Sequence, residues 1–124
     1  MRYMVMHKLD ENQPGAFDPS PEFMERMGDF IEEANKAGVL LVGEGLEKSS
    51  EDSARITATP GKKTTITDGP FSETKELIAG FAILDVRSKE EAVEWAKRFV
   101  DIFIEAGIDI EVDVRRVFEL PEAG

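Results

Sequence analysis

His7 is the only histidine in the chain, and so the only side chain whose ordinary pKa lies near neutrality. It alternates with Tyr3 and Val5, which puts all three on one face of a strand. If that face lines a cavity between packed sheets, His7 meets a bound molecule as acid, base or hydrogen-bond donor. The plain alternative is a strand-end histidine satisfied by backbone or solvent. Two carboxylates are candidates to act with it. Glu44 sits between Gly43 and Gly45, directly after the apolar run Val39-Leu40-Leu41-Val42. An unhindered backbone there permits close approach to whatever lies above the strand end, although a bulge with an exposed acid has the same sequence. Asp68 could orient the imidazole or serve as a base, yet Asp-Gly at a turn is also explained by the hydrogen bond Asp makes to its own backbone. His7, Asp68 and Glu44 are the catalytic candidates.

Asp68 opens a dense stretch, Asp68-Gly69-Pro70-Phe71-Ser72-Glu73-Thr74-Lys75-Glu76-Leu77-Ile78-Ala79-Gly80-Phe81. Pro70 fixes φ and removes a backbone donor, giving a rigid corner, and Glu73, Lys75 and Glu76 follow it. Phe71 is expected to anchor the loop by its apolar ring. Glu73, Lys75 and Phe71 are candidate ligand-binding groups if the loop folds over a cavity; a pairing of Glu73 with Lys75 as solvated charges would be worth little. One histidine and no cysteine exclude the usual structural zinc patterns. A hard-cation site from Glu44, Asp68 and Glu73 stays open in principle, but the expectation is no metal and no cofactor. There is no phosphate-cradling glycine loop and no nucleophile elbow, and neither Ser72 nor Thr74 has a motif that would make it a nucleophile.

These residues need elements to hold them. Residues 2–8 read as a strand with apolar groups on both faces. Residues 12–19 form a loop, after which Ser20 is a good N-cap with Pro21 at the first helical position. Phe23, Met24, Met27, Phe30, Ile31 and Ala34 make one apolar stripe along a helix from Pro21 to Ala37, and Gly38 closes it. Val39 to Val42 is a buried strand. Strands at 54–59 and 63–67 flank the turn Thr59-Pro60-Gly61-Lys62. Ala79 to Val86 is another strand, and Ser88-Lys89-Glu90-Glu91 is a capping box. The helix it opens carries Ala92, Trp95, Ala96, Phe99, Val100 and Phe103 and ends at Gly107. Its rings, with Phe23 and Phe30, read as core rather than as a cofactor box. Ile108, Ile110, Val112 and Val114 alternate with acids in a last strand, and Arg115-Arg116 breaks the period, which suggests a bulge.

The order is β-α-β, a β-hairpin insert, then β-α-β. The fold class is α+β, a ferredoxin-like split βαβ repeat with an inserted β-hairpin, in a single domain over residues 1–124. Two helices cover one face of such a sheet, so strands apolar on both sides call for a second layer. A homodimer packed sheet to sheet supplies it.

At 124 residues, with 41% hydrophobic and 33% charged residues, the composition is that of a soluble globular protein. Fifteen basic against 26 acidic residues give a net charge of −11, which repels phosphate backbones and anionic membranes. Lys62-Lys63, Lys97-Arg98 and Arg115-Arg116 are scattered and lack interleaved aromatics, so nucleic acid is not an expected partner. Nor is a membrane: no apolar run approaches the roughly 20 residues of a span, and the N-terminus lacks a signal-peptide pattern. A cytoplasmic location is expected.

The stretch from Asp68 closely resembles the signature that names the DGPF proteins, a branch of the YCII-related family. Arg2-Tyr3-Met4, Ala37-Gly38-Val39, Gly43-Glu44-Gly45-Leu46 and Glu91-Ala92-Val93-Glu94-Trp95-Ala96 support the resemblance. It implies a dimeric α+β barrel. Some relatives are thought to use a histidine–aspartate pair with the histidine on the first helix; Pro21 to Ala37 contains none, so only His7 could substitute. The expected function is cofactor-free acid/base chemistry on a small organic molecule in an inter-sheet cavity. The alternative is a non-catalytic ligand-binding or regulatory module, linked through the resemblance to alternative sigma factors.

Overall fold

A computed structural model describes residues 1–73 and 75–121; Thr74 in the signature stretch lies outside the described residues. Ser20 and Ser88 set where the two helices begin. The Ser20 hydroxyl accepts from the Phe23 N–H at 3.1 Å, opening α1 (Pro21–Lys36). The Ser88 hydroxyl accepts from the Glu91 N–H at 3.1 Å, opening α2 (Lys89–Glu105). Each bond satisfies a donor that the first helical turn leaves over. Glu91 reaches back as a capping box requires, but to the Arg87 N–H at 3.2 Å rather than to that of Ser88. Both helices end where Gly38 (φ 72°) and Gly107 (φ 76°) adopt left-handed conformations, which glycine does without steric cost.

Among the described residues there are six strands: β1 (Arg2–Lys8), β2 (Leu40–Gly45), β3 (Ala54–Thr57), β4 (Thr65–Asp68), β5 (Ile78–Asp85) and β6 (Glu111–Arg116). Four form an antiparallel sheet in the order β2-β5-β1-β6, and β3-β4 is a separate two-stranded hairpin. This is the expected α+β, ferredoxin-like arrangement with an inserted hairpin. Several boundaries differ from the sequence expectation, and the hairpin strands expected at 54–59 and 63–67 are found at Ala54–Thr57 and Thr65–Asp68. The second strand runs to Gly45, so Glu44 lies within it. Arg115 and Arg116 continue the β6 ladder opposite Met4 and Tyr3 without a bulge, and Ile108 joins the core from a loop instead. The register irregularities fall elsewhere, at Leu40/Val42 and His7/Lys8.

Cross-strand partners share a face, and this decides the layers. Tyr3 and Val5 pack with Ala92 and Ala96 of α2, so the Tyr3-Val5-His7 face lies under the helices. Its partners are Leu84, Ala82 and Gly80 on β5 and Val114 and Val112 on β6, with Arg116 opposite Tyr3 exposed at the end of the strand. The opposite face has Met4, Met6, Val42, Phe81 and Ile83 at its centre, with Lys8, Glu111, Asp113 and Arg115 towards β6. There Lys8 bridges Asp113 at 2.9 Å and Glu111 at 3.8 Å. The expectation that the His7 face lines a space between two sheets is therefore corrected. The acids alternating with valine along β6 exclude the other face from a dry helix interface, and the helices take the face without them. Two contiguous clusters fill the layer, one around Val5, Leu84 and Ala92 and one around Leu9, Phe103 and Ile108.

Replacing Ser88 by alanine should cost about 1 kcal/mol, the usual worth of an N-cap. Urea unfolding followed at Trp95 measures it as a lowered midpoint with unchanged slope.

Candidate functional site

Between the sheet and both helices lies a cavity of about 320 Å³. Its walls come from Phe23, Phe30 and Ala34 of α1, Trp95, Ala96, Phe99 and Phe103 of α2, and Val5, His7, Leu40, Gly43 and Ala82 of the sheet. The cavity exists because small residues oppose rings. Ala34, Ala96, Ala82 and Gly43 hold the layers apart less than they hold them open, since no side chain at those positions reaches the centre. The rings that the sequence reading assigned to core alone are thus also the walls of a site. The available signal was the pairing of helical aromatic stripes with alanines one turn away, which leaves volume unfilled.

The aromatic wall is continuous. Phe23 meets Phe103 edge-on with centroids 4.9 Å apart, Phe103 meets Phe99 at 5.0 Å, and Phe30 lies 5.9 Å from Trp95. Such offset and edge contacts are the favourable geometries for rings. Arg98 stacks over Trp95 at 4.8 Å and Phe30 at 5.3 Å and pairs with Glu33. It ties α2 to α1 beside the rings of the wall.

His7 is the one histidine on this wall. Its ring lies 5.1 Å from Phe99 and 5.7 Å from Phe103, and no hydrogen-bond partner holds it among the described residues. Space for the imidazole comes from Gly80, its register partner on β5, since a Cβ there would collide with the His7 ring. Burial among apolar groups penalises the charged form and pushes the His7 pKa down to about 4. At neutral pH the imidazole is uncharged, with one nitrogen able to donate and the other to accept.

The other candidates do not join it. Glu44 borders the cavity, but it pairs with Phe81, which pairs with Met6, so its side chain belongs to the opposite face and only its main chain is offered to the cavity. Asp68 ends the separate hairpin opposite Ala54 and is exposed. The expected convergence of His7, Glu44 and Asp68 is therefore corrected: side chains at register positions of opposite phase leave a sheet on opposite sides, and Asp68 belongs to another sheet. Among the described residues no group that could hold a metal ion forms from Glu44, Asp68 and Glu73.

The signature loop is built around Ser49 and Arg55 instead. Ser49, 7% exposed, donates its hydroxyl to Glu11 at 2.6 Å and accepts from the Phe71 N–H at 3.0 Å. A Cβ on Gly69 would collide with the Ser49 carbonyl and the Ser53 hydroxyl, so glycine is required by close approach. Phe71 is half-buried beneath the Arg55 guanidinium, 4.2 Å from its ring centre. Glu73 pairs with Arg55 at 3.0 Å rather than with Lys75. Its carboxyl is held below the usual range by its own backbone N–H and by Arg55. Lys75 is exposed and makes no ion pair among the described residues. None of Phe71, Glu73 and Lys75 touches the cavity.

The His7 shift carries a pH signature. The unfolded chain takes up its proton near pH 6.5, whereas the folded chain resists until about pH 4. Stability contributed by the neutral ring is thus full above pH 6.5 and lost as pH falls towards 4, amounting to at most about 3 kcal/mol. Urea midpoints for His7→Gln should change less across this window than those of the wild type, because both share every carboxylate. An identical slope in the two proteins would show that His7 is not the group responsible. Gly80→Ala should destabilise by about 1–3 kcal/mol, the scale of overpacking, and the same titration would read it.

A 35-residue segment is 46% identical to an uncharacterized protein, R00369, of Rhizobium meliloti (strain 1021), and the match spans 28% of each chain. Among solved structures, 5-chloro-2-hydroxyhydroquinone dehydrochlorinase (TftG) from Burkholderia phenoliruptrix AC1100, in complex with 2,5-dihydroxybenzoquinone, is 16% identical, covers 95% of this chain and 94% of its own, and overlaps with a TM-score of 0.49. A likeness of that degree carries no argument about the site. The family model of the YCII-related domain matches residues 1–118, from the first strand through β6, and the chain belongs to the YCII-related family.

Proposed function

We propose that the chain binds a small, uncharged, largely apolar organic molecule in the cavity between its sheet and its helices, with His7 supplying the polar contact. The observation that supports this is the composition of the wall: rings and aliphatic groups around one histidine whose pKa is pushed down to about 4. A charged ligand entering such a site would lose its hydration with no opposite charge to receive it. A flat molecule carrying one hydroxyl matches both features, the rings by stacking and the imidazole by a hydrogen bond. The volume, about 320 Å³, lies at the lower end of ligand pockets.

Binding is favoured over acid/base turnover. A histidine that acts as a base becomes an imidazolium in the transition state, and nearby carboxylates normally stabilise that charge. Neither Glu44 nor Asp68 directs its carboxylate to this ring. The signature residues, which resemble those of the DGPF branch, support the same reading, since they brace a hairpin instead of lining the cavity.

We also infer that a second copy covers the open sheet face. Met4, Met6, Val42, Phe81 and Ile83 make an apolar centre there that neither helix covers, and a symmetric pairing of that face is the simplest cover.

Trp95 is the only tryptophan and lies on the cavity wall, so its emission reports occupancy. 2-Naphthol should quench it saturably, and 2-naphthoate, of the same shape but anionic, should not. His7→Leu should weaken 2-naphthol binding about tenfold, the worth of a hydrogen bond in an apolar site, and leave naphthalene binding nearly unchanged. Equal binding of naphthol and naphthoate would overturn the reading. Light scattering at micromolar concentration tests the pairing: twice the chain mass is expected, and a single-chain mass refutes it.

A further inference from the structure

The β3–β4 hairpin is a polar-backed arm with an apolar front. Ala54 pairs with Asp68 and Ile56 with Ile66 on one of its faces, and Arg55 with Thr67 on the other. The Arg55 face is fastened to the chain's own signature loop, through the Phe71 ring and the Glu73 carboxylate. Gly69 presses against Ser49 at its base. The front is left open: Ile56 and Ile66 are each 69% exposed. Two-stranded hairpins are marginal by themselves in water, and a paired isoleucine surface on one is more costly still.

The charge of the arm differs from that of the molecule. Residues 54–68 contain Arg55, Lys62 and Lys63 and one acid, Asp68, so the remaining 109 residues hold 25 of the 26 acids against 12 of the 15 bases. The arm is +2 and the rest of the chain −13, and with Arg55 committed to Glu73 the two lysines stand beside the turn as the unpaired part of the arm's basic charge among the described residues. A surface of this kind fits an acidic protein with exposed apolar residues. The chain is itself such a protein, with Leu41 (54% exposed) and Leu46 (45% exposed) along its β2 edge and a large acid excess everywhere outside the arm.

We propose that the hairpin is an assembly arm that docks on a second copy of this chain, its isoleucine pair on apolar surface and Lys62 and Lys63 on acids of the partner. The signature loop then serves as the brace that holds the arm in its docking pose. The proposal rests on the dimer reading given above and adds to it a contact outside the open sheet face.

Sedimentation of the full chain tests it with three variants: Ile56→Asp/Ile66→Asp, Lys62→Glu/Lys63→Glu, and Phe81→Asp on the open face. Each arm variant should weaken dimerisation at least about tenfold, and the lysine variant should also lose the salt dependence shown by the wild type. Trp95 emission and its quenching by 2-naphthol should stay as in the wild type, because none of the four arm residues borders the cavity; this excludes misfolding as the cause. If both arm variants keep the wild-type dissociation constant while Phe81→Asp dissociates, the arm proposal is overturned and the face-to-face dimer stands. A wild-type chain that sediments as a monomer overturns both.

Discussion

Two helices can dry only one face of a four-stranded sheet, and nearly everything else in this structure follows from which face they take. The strands are apolar on both sides at the centre, so hydrophobicity alone would permit either choice. The decision is made at β6, where Glu111, Asp113 and Arg115 alternate with Val112 and Val114. Burying the charged set under α2 would strand ionised groups in an apolar layer. The valine face goes inward and carries with it, through cross-strand register, Val5, Ala82 and His7. The only histidine is thereby committed to the interior of its own chain.

That commitment makes the site. Once under the helices, the imidazole is surrounded by Phe99 and Phe103, loses its hydration and stays neutral. The alanines and glycines around it leave a cavity that aromatic side chains border without filling. Among the described residues neither Glu44 nor Asp68 directs its carboxylate to this ring, and the proposed preference for binding over proton transfer rests on that. Arg98, held by Glu33 and stacked on Trp95 and Phe30, couples the two helices beside the aromatic wall.

The signature loop belongs to a different part of the molecule. Its glycine meets the Ser49 carbonyl, its phenylalanine meets a guanidinium and its glutamate completes the ion pair. A dense run of titratable groups beside a rigid corner looks like chemistry when read along the chain. In space, among the described residues, only Glu73 of those groups meets the hairpin, through Arg55, and the rigidity that a catalytic loop would need is equally what a brace needs.

The sequence by itself determined the elements, their order and the ferredoxin-like class, because caps, glycine stops and hydrophobic periods are local properties of the backbone. Ser20, Ser88, Gly38 and Gly107 act within one turn of their own position, and each could be read where it stands. It also singled out His7 and the family, the latter borne out by a domain match over residues 1–118. Only tertiary structure decided which side of the sheet His7 occupies, that Glu44 leaves by the opposite side, and that Asp68 sits on a separate hairpin. A period of two says that residues share a face without saying which layer covers it. Layer choice depends on charges five strands later in the sequence, here those of β6. The cavity was beyond linear reading for the same reason: it is a volume left between elements, and no residue encodes an absence of its neighbours' atoms.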